Sequence, residues 1–201
     1  MRIPNLVIRK LYLERLQESL LPTAADQITS RQAAQHFQRS GDPQPLCDFV
    51  EQRYFKVLSN RDYRQASELT LKTAFLTLLF NDALYIMDSE TEVGRRYADL
   101  TLIVRPDARQ YQIFDLLLEC KFVKLGDLNL SGEAVRALTP AELAALPLVK
   151  QKLAEARAQA PAYWREIEQR YRSMFNLQLR LRTYAVVAVG FDRLVWEEIG
   201  A

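Results

Sequence analysis

Apolar and polar positions change rhythm twice along this chain. Through the first eighty residues the apolar side chains recur at helical spacing. Val7, Leu11, Leu16 and Leu20 predict a helix over residues 4–21, ended by Pro22-Thr23. A second is predicted over 29–40, stopped by Gly41-Asp42-Pro43, and a third over 45–58, with Leu46, Phe49, Val50, Tyr54 and Val57 on one side. A fourth spans 62–80, with Leu69, Leu71, Phe75, Leu76, Leu78 and Leu79 as its apolar set. The rhythm then shortens. Residues 84–87 predict a first strand, from which Asp88-Ser89-Glu90 leads away, and Gly94 marks a turn. Two further β-like runs, 97–105 and 111–123, flank the polar turn Pro106-Asp107-Ala108-Arg109-Gln110 and predict an antiparallel hairpin.

Helical spacing returns after a loop over 126–132. Thr139-Pro140-Ala141-Glu142 predicts a capping box with proline at the first helical position. An Ala-rich helix is expected over 148–160, a kink or restart at Pro161, and a basic aromatic helix over 163–176. Residues 183–190, Thr-Tyr-Ala-Val-Val-Ala-Val-Gly, form the most apolar strand candidate. This order predicts an α/β fold: a three-stranded antiparallel meander, a helical crossover and a final strand in one mixed sheet. Residues 1–60 read as an N-terminal helical extension and 61–201 as the core.

Charges interrupt the apolar hairpin at Asp99, Glu119 and Lys121. Folding about Ala108 and Arg109 sets Asp99 roughly opposite Leu118 or Glu119. Glu119 and Lys121, two residues apart on a strand, point the same way. Two readings follow. One is a buried ion pair, or an edge strand with hydrated charges. The other is a site in which two carboxylates hold a hard cation beside a lysine. Glu68 lies near the N-terminal end of the fourth helix, on the face of Phe75 and Leu79. Taken alone it is a first-turn carboxylate matched to the helix dipole.

Asp99 followed by Glu119-Cys120-Lys121 resembles the motif of the PD-(D/E)XK nuclease superfamily. Arg95-Arg96-Tyr97-Ala98-Asp99-Leu100 and Val187-Ala188-Val189-Gly190-Phe191 resemble the nuclease domain found C-terminal to AAA-ATPase-like modules in bacterial proteins. Gln159 and Tyr163, four apart on one helical face, resemble the Q-x-x-x-Y motif of the RecB-like branch, with Pro161 as a departure. Glu92, Gly94 and Asp99 match the relatives' E-x-G-x-G-R-x-D, whereas Arg96 replaces the second glycine and Tyr97 the arginine. The resemblance implies a restriction-endonuclease-like core and a Mg²⁺- or Mn²⁺-dependent nuclease acting on DNA. Asp99, Glu119 and the Cys120 carbonyl would hold the metal. Lys121 would serve water or the transition state. Glu68, Gln159 and Tyr163 would complete the site. A catalytically inactive module that binds nucleic acid or protein is the alternative.

Composition narrows this modestly. The 201 residues carry 27 Lys and Arg against 25 Asp and Glu, a net +2, so nucleic-acid binding is not advertised globally. Locally, residues 150–182 hold eight Lys/Arg against three Glu. Arg95, Arg96, Lys124, Lys150 and Arg165 are the candidate phosphate contacts. One histidine, His36 in a polar helical stretch, argues against a Ser-His-Asp triad or a multi-histidine zinc site. Two cysteines give neither a disulfide framework nor a zinc spacing, as in a reducing cytosol. Neither a signal segment nor a membrane-spanning run is seen, and a cytoplasmic protein is expected. No phosphate-loop motif is present, so an ATPase-like partner module would lie outside this sequence.

Overall fold

A computed structural model describes residues 23–57, 67–93 and 96–200, with isolated positions between 11 and 21, and leaves aside the side chains of 89–98. Most of the helix predicted over 4–21, and the turn at Gly94, fall outside this set.

Helix α1 (Ala24–Ser40) begins earlier than the apolar pattern predicts because Thr23 caps it, its hydroxyl accepting from the Asp26 N–H at 3.1 Å. It ends at Gly41, whose φ of 78° is the left-handed conformation glycine adopts readily. Helix α2 (Gln44–Phe49) runs on through a π turn (Val50–Tyr54) and a last α turn (Phe55–Val57). Helix α3 (Glu68–Leu79) starts after Ser67 and buries Leu71, Ala74, Phe75, Leu78 and Leu79.

Five strands follow in an α/β arrangement: β1 (Tyr85–Val93), β2 (Arg96–Val104), β3 (Asp115–Val123), β4 (Leu181–Val189) and β5 (Arg193–Ile199). They lie in the sheet in chain order. Every neighbouring pair is antiparallel except β3 and β4, which are parallel. The first strand does not lead away at Asp88 but continues to Val93, paired with Arg96. The hairpin turn is a 3-10 helix (Pro106–Tyr111), so β3 begins at Asp115 rather than at Tyr111. Asp115, fully buried, accepts from Arg109 (2.7 and 2.9 Å), the Val104 N–H (2.8 Å) and the Arg180 N–H (2.7 Å). One carboxylate thus ties the turn, the end of β2 and the approach to β4. The sequence pattern missed β5 altogether, because Glu197 and Glu198 break its apolar alternation.

The parallel crossover passes through α4 (Leu125–Leu128), α5 (Gly132–Ala137), α6 (Pro140–Ala145) and α7 (Pro147–Phe175). The Thr139–Glu142 capping box forms as predicted. Pro161 does not restart the helix: α7 is assigned without a break over 29 residues. Its buried positions, Val149, Leu153, Ala156, Ala160, Tyr163 and Ile167, alternate steps of four and three and hold one face on the sheet across the proline.

The sheet is buried on both sides. Leu100, Leu102, Leu116, Leu118, Cys120, Tyr184 and Val186 share one apolar cluster with Phe37, Leu46, Phe55 and Phe75. Ile103, Leu117, Ala185 and Val187 face the other way, toward α7. The boundary expected near residue 60 adjoins residues outside the described set, yet helices from both sides of it contribute to the first cluster. No helix among the described residues is long and apolar enough to cross a membrane.

Candidate active site

The β2–β3 register pairs Thr101 with Leu117 and Leu100 with Leu118, and the recorded pairing stops there. Continued one step, it sets Asp99 opposite Glu119. Strand alternation puts Asp99, Glu119 and Lys121 on the α7 face, in phase with Ile103 and Leu117. Where the ladder ends, the Asp99 side chain takes its place. Asp99 Oδ2 accepts from the Cys120 N–H at 2.9 Å. In a strand the N–H and C=O of one residue point to the same side, so the Cys120 carbonyl also faces Asp99. The thiol points into the opposite core, and burial pushes its pKa up.

Lys121 Nζ lies 3.9 Å from Asp99 Oδ2 and 3.7 Å from Glu119 Oε2, so the expected convergence is present. A second lysine, which the sequence reading missed, is closer: Lys72 Nζ lies 2.9 Å from Asp99 Oδ1. Lys72 is the one charge inside Leu69–Leu79, an otherwise apolar and Thr-rich run, and that isolation was the available signal. Glu68 sits one turn earlier, half-buried on the same helical face. Among the described residues no ion pair or hydrogen bond joins it to Asp99 or Glu119.

Glu119 is the strained member. It is 1% exposed, and its Oε1 is buried with no hydrogen-bond partner among the described residues. Burial, then the charge of Asp99, push its pKa up to about 8, against the opposing pull of Lys121. A buried carboxylate with an unsatisfied oxygen, beside a second carboxylate, offers oxygen donors of the kind a hard cation takes. The residues present therefore fit Mg²⁺ or Mn²⁺. Among the described residues, no group of three or more His, Cys, Asp or Glu side chains is arranged as a metal cluster.

Helix α7 closes one side. Glu155 accepts from Lys152 (2.8 Å) and Gln151 (2.9 Å), and these bonds lower its pKa, with Lys121 adding to the effect. Gln159, half-buried, is one turn beyond Glu155 and two beyond Lys152, so it shares their flank toward Lys121. Tyr163 lies one helical turn beyond Gln159 and is buried. Its ring shares a cluster with Ile103, Leu117, Ile167 and Leu179. Lys124, Lys150 and Arg165 are exposed. Arg165 lies beside Trp164, Thr183 and Ile199, on the β5 side of α7. Lys150 and Arg157 are in helical phase with it, and Arg157 is bonded to Glu197 of β5 at 2.8 Å. Lys150, Arg157 and Arg165 thus share the flank of α7 on the β5 side. Arg95 and the side chain of Arg96 lie outside the described residues. His36 is exposed, 3.4 Å from Asp42.

No protein-family model, no curated protein and no solved structure matches this chain.

Proposed function

We propose that this protein is a divalent-cation-dependent nuclease that hydrolyses DNA phosphodiester bonds on a restriction-endonuclease-like core. The observation that carries the reading is the unsatisfied Glu119 Oε1 beside Asp99 and the Cys120 carbonyl. Asp99, Glu119 and that carbonyl would hold Mg²⁺ or Mn²⁺. The cation, when bound, supplies Lewis-acid charge against the phosphate. Lys121 sits between the two carboxylates and so is placed to neutralise charge growing on the non-bridging oxygens as phosphorus becomes five-coordinate. Gln159 and Tyr163, one turn apart on α7, would position the nucleic-acid backbone near the cation.

The Lys72–Asp99 pair favours a second reading, a closed ion-pair network in a module that only binds nucleic acid or protein. Cleavage of plasmid and of single-stranded oligonucleotides with Mg²⁺ or Mn²⁺ separates the two. The nuclease reading expects cutting that drops by about 100-fold or more in folded Asp99→Ala and Lys121→Ala proteins. The network reading expects no cutting, and a loss of roughly 3–5 kcal/mol of stability on Lys121→Ala, because a charge is stranded in the interior. Variants that cut at the parent rate would sink the site assignment.

A further inference from the structure

The two lysines stand in different relations to Asp99. Lys121 keeps 3.7 to 3.9 Å from both carboxylates and pairs closely with neither. Lys72 is at hydrogen-bond distance from Asp99 Oδ1. It comes from α3, whose apolar face packs on the opposite side of the sheet. It meets Asp99 where the β2–β3 ladder has stopped, so its ammonium enters where the strands are no longer paired. Both partners are largely buried, at 11% and 13% exposure, which limits screening of the pair by salt. With Oδ2 engaged by the Cys120 N–H and Oδ1 by Lys72, both oxygens of Asp99 are already occupied.

Resting on the cation-site reading above, we propose that Lys72 is the internal counter-ion of Asp99 and competes with the divalent cation for that carboxylate. Lysine suits this place. Its ammonium is a compact charge on a four-carbon stem, able to leave one oxygen for another without moving the helix. The charge count supports the exchange. Among the described residues two lysines stand beside Asp99 and Glu119, so the cation-free protein does not bury a carboxylate without positive charge at hand. A divalent cation adds two positive charges, which suits a phosphodiester whose charge grows from −1 toward −2 as the attacking oxygen bonds to phosphorus.

Calorimetric titration of the whole chain with Mn²⁺, alongside thermal unfolding with and without it, tests this. Lys72→Met is expected to bind Mn²⁺ about tenfold more tightly than the parent. Without cation it should unfold at a lower temperature than the parent, and saturating Mn²⁺ should recover the difference. Lys72→Arg, which keeps the charge, should stay within about twofold of the parent affinity. Lys72→Gln, which retains a donor to Asp99 without charge, should follow Lys72→Met and serves if the latter does not fold. A lysine with only a packing or pairing role would lower stability in both conditions and leave Mn²⁺ affinity unchanged or weaker. That result in a folded variant overturns the proposal. Parent and neutral variants that all fail to bind Mn²⁺ would overturn the cation site itself, and the competition with it. A parent that binds while its neutral variants bind no more tightly removes the competition alone.

Discussion

Glu119 concentrates the chemistry of the molecule in one side chain. Its pKa is raised to about 8, so between the ordinary carboxylate range and that value the folded protein holds a proton the unfolded chain has released. Stability from the neutral carboxyl is complete below the unfolded pKa and is lost as pH rises toward 8. Unfolding midpoints of cation-free protein should therefore fall from pH 5 to 8, and Glu119→Gln should flatten that slope. An unchanged slope in Glu119→Gln would mean that another group governs it. At this scale the sequence was informative about Asp99, Glu119 and Lys121, because strand periodicity alone forces the last two onto one face. For Lys72 it offered only an isolated charge in an apolar run, with no sign of what that charge meets. No spacing rule links a residue on α3 to one on β2, since their meeting depends on where the ladder between β2 and β3 stops.

Among the elements, α7 departs most from its own local signals. Pro161 removes one backbone donor and crowds the preceding turn, yet the helix runs through it. The regular stepping of Val149, Leu153, Ala156, Ala160, Tyr163 and Ile167 holds both halves against the sheet, and tertiary packing overrides the propensity. Pro161 itself is exposed, so Pro161→Ala should restore the missing bond without disturbing the core. An increase in stability on the order of 1–3 kcal/mol is expected by chemical denaturation. A decrease would show that the proline is needed for the path of α7. The capping box of α6 and the apolar β3 and β4 were legible because their causes are local. The extension of β1 through Asp88-Ser89-Glu90 and the whole of β5 were not. Their polar residues are held by ladder partners, Asp88 opposite Thr101 and Glu197 opposite Ala185, which a linear pattern does not display.

The whole molecule depends on its N-terminal helices more than a reading as core plus extension implies. Phe37 meets the ring of Tyr184 at 5.0 Å, and the Tyr184 hydroxyl donates to the Gly41 carbonyl. Glu51 accepts from the Leu194 N–H and pairs with Arg193. A fragment of residues 61–201 would leave Leu116, Leu118, Tyr184 and Val186 without that cover. It should bind hydrophobic dye and show no cooperative unfolding, whereas a cooperative transition would show that the later segment folds by itself. The sheet carries its strands in chain order, and only β3 to β4 spans a long crossover. During synthesis, Lys72, Asp99, Glu119 and Lys121 all leave the ribosome before α7 and β4 exist. The four charges can meet while water still reaches them from the α7 side. Their dehydration then belongs to the last act of folding, when the crossover lays β4 beside β3 and α7 over the gap.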